Sequence, residues 1–187
     1  MILTGQGRRG ARSSAVMMLG IAFASTSDAA SDGRDRAAFI EAHRRAVVTQ
    51  LNSIHLRGPR STSRDRFLAV SVVRADQRYV QCIFFDGDTK MYCEASSGAY
   101  AQAPDATDHL LSASSKAALH RLGFVQTSPK QNYEREISLG TPPDFDAVAD
   151  LMIGALHDAY EARETTPLNF RAPRAILTRN ACPGPVS

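Results

Sequence analysis

Residues Gln81 to Ser96 read QCIFFDGDTKMYCEAS, and no other stretch of the chain constrains the fold so tightly. Two arms rich in apolar and aromatic residues flank Asp86-Gly87-Asp88, the signal of a β-hairpin. Side chains alternate across a strand, so the parity of the turn decides which residues share a face. With the turn centred on Asp86-Gly87 or on Gly87-Asp88, Val80, Cys82, Phe84, Met91, Cys93 and Ala95 fall together, and all six are apolar. Tyr79, Gln81, Ile83, Phe85, Lys90, Tyr92, Glu94 and Ser96 then make the other, mixed face. A three-residue loop would shift the parity and set Lys90 and Glu94 beside Cys82 and Phe84. Burying two unpartnered charges is too costly, which excludes that loop. The cysteines therefore face the core.

The two allowed turns differ on the cysteines themselves. Centred on Gly87-Asp88, Cys82 faces Cys93 at about 4.5–5.5 Å between Cα atoms, within disulfide range. Centred on Asp86-Gly87, the favoured type I′ dipeptide, Cys82 faces Met91 and the cysteines are diagonal. The expectation is two buried free thiols behaving as small hydrophobes. An export signal would favour the bond instead. A zinc site is not indicated. There are three cysteines without a C-x-x-C pair, and His43, His55, His109, His120 and His157 are scattered.

Around the hairpin the chain alternates between helical and extended signals. Ile40, Val47, Leu51 and Ile54 recur at helical spacing, predicting an amphipathic helix over 35–54 with Asp32 or Asp35 as its cap. Gly58-Pro59 then breaks the helix. RFLAVSVVR predicts a strand over 66–74, ahead of the hairpin arms. SASSKAALHRLGF predicts a second helix capped by Ser112 or Ser114, with Gly123 just past its end. NYEREISL alternates as a fourth strand. Asp144 caps a last helix in which Phe145, Val148, Ala149, Met152, Leu156 and Tyr160 form an apolar stripe. The expected fold class is α+β, with a mostly antiparallel sheet of a three-strand meander plus a later strand. Helices pack on one face of that sheet and leave the other partly open.

The ends are set apart from this domain. Residues 1–32 have a basic front (Arg8, Arg9, Arg12), a short apolar run from Ala15 to Ala24 and small-residue cleavage options. They read either as a secretory signal or as an unstructured leader, with Met17 and Met18 as alternative starts. The single domain spans 33–162, and the Pro-punctuated segment 163–187 is expected to be a disordered tail. Localisation follows the leader: cytoplasmic, or exported to a periplasmic or secreted destination if the signal is real.

Several function classes are disfavoured. The net charge of +3 comes without a Lys/Arg stripe interleaved with aromatics, so no nucleic-acid partner is expected. No apolar run approaches the roughly 20 residues that span a bilayer, so no stable membrane insertion is expected. There is no G-x-S-x-G, H-E-x-x-H, phosphate loop or dinucleotide fingerprint. Cys82 faces inward, and His120 reads as a solvent-facing helix residue. The chain is expected not to be an enzyme and to need no cofactor.

The segments RYVQ, EASSGAY, LHRLGF and NYEREI, followed by an amphipathic helix, resemble in order the TY-Chap family, domains similar to type III secretion chaperones and YbjN proteins. The resemblance covers about residues 66 to 161, through Tyr79, Val80, Gln81, Glu94, Ser96, Leu122, Gly123, Asn132, Tyr133 and Arg135. It implies an α+β fold, often dimeric, a peptide- or protein-binding role, no catalysis and no cofactor. Two departures stand out. Phe124 occupies the place of the family's usual tryptophan, and the chain is basic where secretion chaperones are typically acidic. The expected function is a non-catalytic module that binds a partner segment through the open sheet face or an edge. Tyr79, Gln81, Ile83, Phe85, Tyr92, Glu94, Asn132 and Arg135 are its candidate residues. Gln81 and Glu94 can orient a bound backbone or contact Arg135, and the edge at 132–137 can pair with a strand. The alternatives are a homodimer that buries this face against its own copy, and a small exported protein with a Cys82–Cys93 disulfide.

Overall fold

The computed structural model describes residues 26–57, 66–101 and 110–172. Residues 1–25 of the leader expected over 1–32, the Gly58-Pro59 break and the tail beyond 172 lie outside the described residues, while 26–32 belong to a helix. Within them the order is α1 (Thr26–His55), β1 (Phe67–Val72), β2 (Tyr79–Phe85), β3 (Lys90–Ala95), α2 (Ala113–Arg121), β4 (Tyr133–Ser138), α3 (Phe145–Asp158) and β5 (Leu168–Arg171). The five strands form one antiparallel sheet in the order β4-β3-β2-β1-β5. The fold is α+β, as expected.

The helices lie on one face. Phe39, Val47, Leu51 and Ile54 of α1 and Val148, Met152 and Leu156 of α3 share one core with Leu68, Val70, Val80, Met91 and Ala95 of the sheet. Each such side chain, fully buried, contributes about 1.5–3 kcal/mol of transfer free energy. Helices α1 and α3 run antiparallel, and ion pairs Arg36–Asp158 at 3.0 Å and Arg44–Asp150 at 2.9 Å lie along their contact. Ser112 caps α2 by accepting from the Ser115 amide, and Asp144 caps α3 by accepting from the Ala147 amide. Gly123 takes φ +79° just past α2, the left-handed conformation that a helix terminus favours.

Three expectations change. Helix α1 starts at Thr26 rather than at 35, so Asp32 and Asp35 are interior residues, not caps. Nothing between 26 and 35 breaks a helix except Gly33, and one interior glycine costs only about 1 kcal/mol. The segment read as tail carries β5, which pairs with β1. Leu168 and Phe170 pack against the core from this strand. Its four residues, following Pro167, are too short to signal a strand without their neighbour.

The third change is at the hairpin tip. The turn is not the two-residue Asp86-Gly87 type. Phe85 pairs with Lys90, which centres the turn on Gly87-Asp88. Asp86, Gly87 and Asp88 all take positive φ, at 50°, 66° and 65°. The Thr89 amide and hydroxyl both donate to the Asp86 carbonyl. This conformation turns Asp88 inward to pair with Arg66, and both side chains are 5 % exposed. Arg66 also donates to the backbone of His55 and lies 5.4 Å from the Phe84 ring centroid. The buried charge pair thus selects the longer loop over the favoured dipeptide. In that register Cys82 lies opposite Cys93 with Cα atoms 4.0 Å apart, and the two are disulfide-bonded. The expected free thiols are replaced by a cross-strand bond.

Candidate functional site

The sheet face away from the helices is built in rows by the strand register. Phe67, Ile83, Tyr92 and Glu136 form one row across β1, β2, β3 and β4. Arg171, Ala69, Gln81, Glu94 and Glu134 form the next, starting from β5. Phe85 and Lys90 lie on one side of these rows, and Tyr79 and Ser71 on the other. The residues on either side of Phe67, Ile83 and Tyr92 along β1, β2 and β3 are buried, whereas Ile83 is 37 % exposed and Phe67, Phe85 and Tyr92 are half-buried. This face therefore presents a central apolar patch between polar flanks. Gln81, Ile83, Phe85, Tyr92 and Glu94 share it, and Tyr79 stands at its end.

Asn132 and Arg135 do not join them. Arg135 pairs with Cys93 in the β3–β4 register, which turns it toward the helices. It donates to the Leu122 carbonyl and packs beneath Gly123. Contact of Gln81 or Glu94 with Arg135 across the open face is therefore overturned by parity. Asn132 is buried just before β4. Its amide donates to the Tyr79 hydroxyl at 3.0 Å, and its carbonyl accepts from the Ser97 amide at 3.1 Å. It ties β2 to the loop after β3. Nearby, Tyr160 donates to the Ser96 carbonyl at 2.6 Å, and burial pushes its phenol pKa well above the usual range.

The open face is laced by polar pairs. Gln81 donates to Glu94. Burial first, then a hydrogen bond with Glu134 and the charges of Glu134 and Glu94, pushes the Tyr92 phenol well above its usual pKa. Lys90 pairs with Glu136 at 2.9 Å and with Asp86 at 3.5 Å, and the hydrogen bond with Glu136 is the chief cause of its raised pKa. Glu134, Glu136, Phe67 and Lys90 are members of this face that sequence reasoning did not single out as site residues. The alternation of NYEREISL puts Glu134 and Glu136 on one side of a strand. Only the register against β3 says which side.

The β4 edge is partly closed. Val125 exchanges both backbone hydrogen bonds with Glu134, at 2.9 and 2.7 Å. Just beyond this bridge, Tyr92, Gly123, Val125, Glu134, Arg135 and Glu136 line an open groove of about 460 Å³. A second groove of about 560 Å³ lies at the β1–β5 side, where Ser71, Tyr79, Gln81 and Arg171 contribute.

The other chemistry-bearing residues are absorbed by the fold. Cys82 and Cys93 are buried and bonded to each other, so neither is a thiolate nucleophile. His120 lies at the surface with Nδ1 3.2 Å from the Phe124 carbonyl. His157 is buried, with Nδ1 2.8 Å from Asp158 and its ring beside Phe39. Among the described residues no group of His, Cys, Asp or Glu is arranged to hold a metal ion. No described helix is long and apolar enough to cross a membrane.

No curated protein and no solved structure matches the chain. A family model does, over residues 44–174, with the description "T3SS (YopN, CesT) and YbjN peptide-binding chaperone 3". The matched span runs from the middle of α1 past β5, and so takes in the whole sheet together with α2 and α3. The chain belongs to this family of peptide-binding chaperone domains, TY-Chap3.

Proposed function

We propose that the domain is a non-catalytic binding module that holds a segment of a partner protein against the open sheet face and its β4 edge. The observation that carries this reading is the apolar patch of Phe67, Ile83, Phe85 and Tyr92, left partly exposed in the middle of a five-stranded sheet. Rigid aromatic side chains on a fixed sheet supply contact area at low entropic cost. The surrounding Gln81, Glu94 and Glu134 offer hydrogen-bonding groups that can exchange their present partners for a bound backbone. The family match supports the same role.

The test is a Phe85→Asp, Tyr92→Asp double substitution. Both residues are half-buried on the open face, so the thermal transition should stay cooperative while capture of partner peptides falls at least tenfold. Unchanged capture by the folded variant would remove the face from the reading.

The Cys82–Cys93 bond favours a second reading of location. Disulfides persist in oxidising compartments and are rare in the cytosol, so the bond supports export over cytoplasmic residence. Mass spectrometry of the native protein decides this. Export requires a mature N-terminus downstream of the apolar run that ends at Ala24, and a start at Met1 or Met17 rejects it.

A further inference from the structure

The open face is not evenly charged, and the imbalance says what kind of segment fits. Glu94, Glu134 and Glu136 project on the β3–β4 side, where Lys90 is the cation that these two strands contribute to the same face. Arg135 also lines the groove, but it projects from the other side of β4 and its guanidinium is engaged with the Leu122 carbonyl. This acidic zone occurs on a chain whose net charge is +3, so it is a local arrangement rather than the average of the molecule. Arg171 lies on the same face but on β5, four strand spacings from β4. At about 4.8 Å per spacing that is roughly 19 Å, beyond the screening length of about 8 Å at physiological salt. A ligand at the β4 edge experiences the carboxylates and is screened from Arg171.

The carboxylates do not stand alone. Val125 is 58 % exposed and lines the groove at this edge together with Tyr92. Glu134 already uses its outward backbone groups on Val125, and strand alternation brings the next outward pair at Glu136, beside the same groove. Apolar walls, a stretch of strand edge and carboxylates therefore meet in one place.

Resting on the binding role proposed above, we infer that this groove takes an extended protein segment in which a lysine or arginine is followed two places on by an apolar residue, so that both face the same side. A residue placed opposite Glu136 has its side chain on the open face, where Glu134 and Glu136 meet a cation. An apolar residue two places along the segment projects from the same side and packs toward Val125 and Tyr92. An acidic segment of the same shape is repelled by the same groups, so the discrimination comes from repulsion as well as attraction.

The test uses the full chain and short synthetic peptides of one apolar scaffold, carrying Lys, Gln or Glu at a single position with apolar residues two places to either side. Fluorescence anisotropy should rank them Lys, Gln, Glu, with roughly tenfold or more between the first and last, and the gap should shrink as salt is raised. Glu134→Gln with Glu136→Gln should compress the ranking, and Glu136→Lys should narrow it further or invert it, with folding of each variant checked by its thermal transition. Equal binding of the Lys and Glu peptides that still depends on Phe85 and Tyr92 overturns the charge assignment alone. Failure of every peptide to bind overturns both the assignment and the binding role. A concentration-dependent dimer in sedimentation that is lost on Glu136→Lys overturns the assignment in favour of a second copy as occupant.

Discussion

The two faces of the β2–β3 hairpin are made from the same residues in alternation, yet they are held by opposite kinds of interaction. On the helix side, Val80, Cys82, Phe84, Met91, Cys93 and Ala95 are buried, the cysteines are bonded, and the charged pair Arg66–Asp88 sits at the turn. On the other side, Gln81–Glu94 and Lys90–Glu136 pair near solvent around a half-exposed apolar patch. The first face determines the register, because slipping it by one residue would expose the whole apolar set. The second inherits its arrangement from the first. A face assembled this way can vary its side chains with little effect on folding, since its neighbours across the pleat hold the strands.

Asp88→Ala should break the comparison most severely. It leaves Arg66 buried without its carboxylate, and removing one partner of a buried pair costs about 3–5 kcal/mol. Urea unfolding should show that loss in the midpoint, and an effect below about 1 kcal/mol would mean that Asp88 does not hold the turn. The Cys82→Ala, Cys93→Ala double variant comes next. Its bond spans a sequence separation of 11, and losing a disulfide over such a loop costs about 2–4 kcal/mol. The same decrease should appear when the wild type is unfolded under reducing conditions, and no difference between oxidised and reduced protein would show that the cysteines are unbonded in solution. Gln81→Ala should sharpen the contrast from the other side. It removes a pair on a half-exposed face and should shift stability by no more than about 0.5 kcal/mol. A loss near that of Asp88→Ala would show that the open face also holds the fold together.

Much of this architecture was readable in the chain. The apolar spacings of α1 and α3, the caps Ser112 and Asp144, Gly123 and the two faces of the hairpin are local signals, and local signals survive without tertiary context. What failed was non-local. The Asp-Gly dipeptide favours a two-residue turn, but Arg66, 22 residues from Asp88, draws that carboxylate inward and lengthens the loop. Strand β5 has four residues and exists through its pairing with β1. The contact of Gln81 or Glu94 with Arg135 was expected from the strand alone, and the β3–β4 register turns Arg135 to the other side.

The sequence by itself determined that Cys82 and Cys93 share the apolar face, that Gln81, Ile83, Phe85, Tyr92 and Glu94 share the other, and that helices cover only one of them. These follow from side-chain periodicity together with the cost of burying Lys90 and Glu94 without partners. The tertiary structure alone decided that the cysteines meet, that Glu134 and Glu136 complete the open face, and that Arg135 leaves it. Each of those depends on the register between strands. Register is the outcome of buried charges and core packing contributed by residues distant in the chain.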